Sequence, residues 1–223
     1  MTIDDLREFE AGVATSEFEA MLRQIPGKHF LKLVTERFDF YKTSFWYPLE
    51  RIPENIFELV IQRLKRHVNP SKEVIGIEWW FSVLLTNTTP HWLLSCHCDS
   101  NNLLETDISK VKRPEFASVL FLNSVPYGEL VVTDQTLTET GLSPRQPKEM
   151  RFIQPRRNVY VVFPGHLYHG VIGRMWRPYS NTRLRVAMAV NYWAEKPLTP
   201  HIRDSRDCIA TLKLDFAREV ATA

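Results

Sequence analysis

The sequence predicts a mainly β body behind a helical N-terminal cover, and three observations carry that expectation. From Glu73 onward, short runs rich in Val, Ile, Phe, Tyr and Trp recur between Pro, Gly, Asn and Asp, which is the pattern of strands and turns. Before Glu73 the apolar residues fall at helical spacing instead. At 223 residues the chain is long enough for one sizeable core, so a single domain is expected, with residues 1–72 as cover, 73–196 as β core and 197–223 as a C-terminal extension.

Asp4 to Leu22 places Leu6, Phe9, Val13, Phe18, Met21 and Leu22 near helical spacing, before Pro26-Gly27 interrupts it. A second helix is sharper. Asn55 can cap "IFELVIQRLKRHV", in which Ile56, Leu59, Val60, Leu64 and Val68 form one stripe, and Asn69-Pro70 ends it. Strands or strand pairs are expected at "EVIGIEWWFSVLLTN", "HWLLSCHCD", "FASVLFLNS", "ELVVTD", "EMRFIQP", "NVYVVFPG", "YHGVIGR" and "TRLRVAMAVNYW". A short helix is expected after Asp204.

The bulk properties narrow the partners. A formal net charge of +2 is too small to argue for nucleic acid. No apolar run approaches the ~20 residues of a membrane span, and "MTIDDLREFE" is acidic where a signal peptide is basic and then apolar, so a cytoplasmic protein without a membrane partner is expected. Three cysteines without C-x-x-C spacing predict reduced thiols.

The stretch "LLSCHCDSNN" sets His97 and Asp99 two residues apart. With seven histidines and 26 acids in 223 residues, about 0.8 such pairs arise by chance, so the tripeptide needs its context. On a strand, residues i and i+2 share a side, so His97 and Asp99 can reach one ion while Cys98 faces away. His169 follows the turn at Pro164-Gly165. Two imidazoles and one carboxylate on one face of a metal suit non-haem iron that must keep open positions.

These residues resemble the Fe(II)/2-oxoglutarate-dependent dioxygenases of the double-stranded β-helix (jelly-roll) type, in particular the prolyl-4-hydroxylase-like branch. The resemblance spans roughly Trp80 to Trp193 and rests on the order of "SCHCD", "FASVLFLNSVPYGELVV", "VVFPGHLYHGV" and "TRLRVAMAVNYW". It implies that His97, Asp99 and His169 hold Fe(II), and that 2-oxoglutarate and dioxygen are co-substrates. A late arginine should pair the far carboxylate of 2-oxoglutarate, because a guanidinium offers a bidentate fork and stays charged. Arg183 and Arg185 compete for that role, and Arg185 is favoured by the small Ala187 two places on. The chain departs from the family where Tyr127-Gly128-Glu129-Leu130 stands for Gly-Gly-x-Leu, and in a long His169-to-Arg185 connection. That connection carries Arg174, Trp176 and Tyr179, which are candidate substrate contacts.

Plainer readings stand beside these. His166 lies in a turn and is expected at the surface or behind the ligands, and His29, His67, His91 and His201 are expected to be structural. Cys96 and Cys98 are expected to act as small apolar groups. Of Trp79 and Trp80, one should face the interior and one the helices, with core packing the expected role. Asn87 and Asn123 have roles open between site and strand end. Lys112, Arg113, Arg156 and Arg157 are solvated surface charges or a site for an anionic partner.

The resemblance implies hydroxylation of an unactivated C–H bond in a small organic or amino-acid-like substrate, releasing succinate and carbon dioxide. A peptidyl or protein substrate is the alternative within the family, and a non-catalytic metal-binding jelly roll acting as a sensor is the alternative outside it. Because halogenating relatives lose the carboxylate that Asp99 retains, halogenation is not expected.

Overall fold

The computed structural model describes residues 1–25, 43–86, 92–102, 105–173, 184–199 and 201–211. Its strands are β1 (Arg7–Phe9), β2 (Ser44–Pro48), β3 (Gly76–Leu85), β4 (Trp92–His97), β5 (Phe116–Phe121), β6 (Glu129–Thr138), β7 (Gly141–Ser143), β8 (Met150–Ile153), β9 (Tyr160–Pro164), β10 (Leu167–Ile172), β11 (Leu184–Trp193) and β12 (Ile202–Asp204). Among the described residues, two helices, α1 (Thr15–Gln24) and α2 (Ile56–Val68), precede the long strands.

One sheet has seven strands in the order β1-β9-β5-β11-β3-β2-β12, and the other runs β4-β10-β6-β7, with β8 also paired to β6. Strands β3 and β11 pair antiparallel over ten residues, from Gly76 opposite Trp193 to Leu85 opposite Leu184. Alternation then gives the seven-stranded sheet two working faces. Ile77, Trp79, Phe81 and Val83 of β3, with Met188, Val190 and Tyr192 of β11, join Phe18 and Met21 of α1 and Phe57, Ile61 and Leu64 of α2 in one core. On the opposite face, Ala187, Ala117, Phe121 and Phe163 meet Leu130, Val132 and Leu167 of the second sheet. The candidate site lies on this second face.

Helix α2 begins where the sequence predicts, since the Asn55 side chain accepts from the Glu58 main-chain N–H at 3.0 Å. It ends at Val68, with Asn69 left-handed at φ 52°. Its buried stripe is rotated from the expected one: Phe57 and Ile61 are fully enclosed, whereas Ile56 and Leu59 are half-buried. The Phe57 ring lies 5.3 Å from that of Trp79 and 5.8 Å from that of Phe81, and this aromatic contact sets the rotation.

The N-terminal cover is less helical than expected. Instead of one helix over Asp4–Leu22, a 3-10 turn at Ile3–Asp5 leads into β1, and α1 starts only at Thr15. Arg7, Glu8 and Phe9 pair with Val162, Val161 and Tyr160, so β1 supplies hydrogen bonds that the free edge of β9 would otherwise lack. β2 likewise joins the sheet beside β3 and takes β12 in parallel on its other side. After Asp204, Ser205–Asp207 form a 3-10 turn and 208–211 are helical.

Candidate metal centre

β4 and β10 run antiparallel with His97 directly opposite His169, which sets the two imidazoles side by side with ring centroids 4.7 Å apart. This approach needs Gly170, because a Cβ there would come within 2.8 Å of the Leu94 carbonyl oxygen and 2.9 Å of the Cys96 amide nitrogen. Asp99 follows β4 and closes the group. Its Oδ1 is 3.7 Å from His97 Nε2, and its Oδ2 is 3.5 Å from His169 Nε2. One ligand atom from each of the three residues falls within 4.8 Å of the others, the one such group among the described residues.

The tautomers follow from the hydrogen bonds. His97 Nδ1 lies 2.8 Å from the Ser95 carbonyl and His169 Nδ1 lies 2.9 Å from the Leu167 carbonyl. A carbonyl only accepts, so each Nδ1 carries a proton and it is each ring's Nε2 that faces the centre. Burial pushes His169 below the ordinary histidine range; the Asp99 charge opposes that shift and His97 adds to it. A neutral, buried imidazole is the form that binds a metal. The edge contact of Phe163, 4.9 Å from the His169 ring, encloses it.

The main chain around Asp99 is tied down. Arg113 Nη1 donates to the carbonyls of Asp99 at 2.6 Å and Cys98 at 3.2 Å. Asn101 accepts from the Lys112 amide at 2.9 Å and donates to Glu195 at 2.8 Å. Of the basic residues, Arg113 therefore anchors the loop, Lys112 pairs with Glu195, Arg156 with Glu10, and Arg157 with Glu19. The Cys98 thiol donates to the His166 carbonyl at 3.4 Å instead of joining the histidines, and burial raises the thiols of both Cys96 and Cys98. Neither is held as a thiolate.

Arg185 lies on the same β11 face, 1% exposed. Its Nε donates to the Gly128 carbonyl at 2.8 Å and its guanidinium carbon sits 5.1 Å from the Phe121 ring centre. Gly128 has φ +85°, and a Cβ there would meet the Arg185 side chain at 2.9 Å, so both backbone and space demand glycine. Asn123 fixes the strand on either side of Arg185, donating to the Leu184 carbonyl at 2.6 Å and accepting from the Val186 amide at 2.9 Å. A cavity of about 50 Å³ connects Arg185 with His97, Asp99 and His169, and Trp80, Ser82 and Asn191 also line it. Trp79 and Trp80 divide as their alternation predicts, Trp79 entering the helix-side core and Trp80 the cavity wall.

Two residues of this face carried no expectation, Asn191 and Glu78. Asn191 Nδ2 donates to Asp99 Oδ2 at 2.9 Å, and Glu78 stands opposite Asn191 in the β3–β11 register. Both share strand parity with residues already singled out, Arg185 and Trp80, which was the available signal. The other candidates, Arg183, Arg174, Trp176, Tyr179, Asn87, His29 and His91, lie outside the described residues.

No family model and no curated protein matches the chain. Solved structures do. A prolyl-4-hydroxylase from Pseudomonas putida aligns at 16% identity and TM-score 0.46 over 86% of this chain and 92% of its own. HygX from Streptomyces hygroscopicus, solved with nickel and 2-oxoglutarate bound, aligns at 13% and 0.48 over 88% and 85%. A viral collagen prolyl hydroxylase from Paramecium Bursaria Chlorella virus-1, solved as a 2-oxoglutarate complex, aligns at 9% and 0.45 over 87% and 99%. Among the described residues, no helix is long and apolar enough to cross a membrane.

Proposed function

We propose that this chain is an Fe(II)/2-oxoglutarate-dependent oxygenase with a double-stranded β-helix fold, hydroxylating an unactivated C–H bond of a small organic or amino-acid-like substrate. The observation that carries the reading is the convergence of His97, Asp99 and His169, with both Nε2 atoms directed inward, on a cavity shared with the buried Arg185. Two imidazoles and a carboxylate fit a divalent iron that keeps its remaining positions for a chelating co-substrate and dioxygen. Iron bound there supplies the redox chemistry by which 2-oxoglutarate, dioxygen and R–H become succinate, carbon dioxide and R–OH.

The chain's own residues do the rest. Main-chain carbonyls hold both imidazoles in the metal-binding tautomer. Arg185 presents a fixed positive charge to the far carboxylate of 2-oxoglutarate, and the ring of Phe121 together with Gly128 holds it in place. The small Ala189, between Arg185 and Asn191 on β11, lines the cavity on the side where the acid would lie. Trp80 and Leu94 form an apolar wall that limits water near the reacting centre. Arg174, Trp176 and Tyr179 are proposed substrate contacts.

The test is succinate formation from 2-oxoglutarate with Fe(II), ascorbate and dioxygen, run on panels of small amino-acid-like and prolyl-peptide substrates. Turnover is expected for the wild type and none for His97→Ala, Asp99→Ala or His169→Ala. If the wild type takes up no divalent metal, the metal centre is refuted. If it binds metal yet yields no succinate with either panel, the reading yields to a non-catalytic metal-binding protein.

A further inference from the structure

We infer that Asn191 is a positioning residue for the metal-binding carboxylate: its amide holds Oδ2 of Asp99 and so fixes the orientation in which the carboxylate meets the two imidazoles. The inference rests on the proposed metal centre and deepens it.

Asn191 is fully enclosed, and its Nδ2 donates to Asp99 Oδ2 at 2.9 Å. The contact joins opposite sides of the site, since Asn191 belongs to the long β11 strand and Asp99 to the loop after β4. Arg113 grips the main-chain carbonyl of Asp99 from a third direction. With backbone and Oδ2 both held, rotation about the carboxylate bond is restrained, Oδ1 staying on the His97 side and Oδ2 on the His169 side.

The residue type matters. A lysine or arginine at 191 would place a positive charge against the carboxylate that attracts the metal, whereas an apolar residue would leave Oδ2 without its donor and the carboxylate free to turn away from the imidazoles. An amide donates without charge.

Co(II) binding to the purified protein separates the possibilities. Asn191→Leu keeps the branched shape and removes the donor. It should weaken Co(II) by about tenfold or more in calorimetry and alter the visible ligand-field spectrum, while the metal-free protein still folds and unfolds cooperatively. Asn191→Val, which suits a strand and also lacks a donor, is read the same way should the leucine variant fail to fold. Wild-type affinity together with a wild-type spectrum in a folded variant overturns the inference. Absence of Co(II) binding by the wild type overturns the proposed metal centre instead.

Discussion

Glu78→Gln should stabilise the protein at alkaline pH and leave it nearly unchanged in acid. Glu78 is buried on the site face of β3, where its Oε1 accepts from Ser44 Oγ at 2.7 Å. Burial pushes its carboxyl up to about 7, and the nearby charge of Asp99 adds to the rise. The Ser44 hydroxyl opposes it, as does the indole N–H of Trp193, which faces the carboxyl without completing a hydrogen bond. An unfolded glutamate releases its proton near 4.5 and the folded one near 7. Between those values the folded state holds more protons than the unfolded, so stability falls as pH rises through this window. The difference of 2.5 units, at about 1.36 kcal/mol each, makes the cost about 3 kcal/mol by pH 8. Glutamine stays neutral and can still accept from Ser44. The variant's advantage over wild type should therefore grow by about 3 kcal/mol from pH 4.5 to pH 8, and constant offsets from the substitution cancel. Urea unfolding of metal-free protein in chelator at several pH values measures it. A difference between the two proteins that stays flat across pH would refute the assignment of a buried, proton-holding carboxyl at position 78.

Two further outcomes are expected. Arg185→Ala should raise the apparent KM for 2-oxoglutarate by orders of magnitude while Arg185→Lys recovers part of it, because lysine keeps the charge and loses the fork; an unchanged KM in titrations of Arg185→Ala would assign the carboxylate elsewhere. Arg51→Ala should cost about 3–5 kcal/mol in denaturant unfolding, since it leaves the fully enclosed Glu58 carboxylate without its partner; a loss below about 1 kcal/mol would show that Glu58 is satisfied without it. The same arginine binds Asp204 at 2.8 Å. Although partial burial alone would raise Asp204, the Arg206 amide and guanidinium and then Arg51 hold it down at about 2. Its contribution is thus present above the ordinary aspartate range and lost as pH falls toward 2, so Arg51→Ala should also show a shallower acid limb.

The elements legible in the sequence were those whose signal is local. The Asn55 cap and Asn69 stop of α2 depend on residues within one turn, and the long strands β3 and β11 alternate strongly enough to be read alone. The two-residue spacing of His97 and Asp99 suggested a common side, although β4 ends at His97 and it is the loop held by Arg113 that brings Asp99 to the histidines. The short strands β1 and β2 were not legible, because three to five residues carry no period and pair only where β9 and β3 present an edge. The buried stripe of α2 turned toward Phe57 for a similar reason, since Trp79 and Phe81 meet it from a distant strand.

At the candidate site the same division holds. Residue types and order by themselves pointed to two histidines, an aspartate and a late arginine. Only the tertiary structure decided that His169 faces His97 across a register made possible by Gly170, that Gly128 gives Arg185 its place, and that Asn191 reaches Asp99. Each of these is a contact between strands far apart in the chain, and its existence depends on sheet register and on the space a missing Cβ leaves. Neither quantity is written in any local stretch of residues.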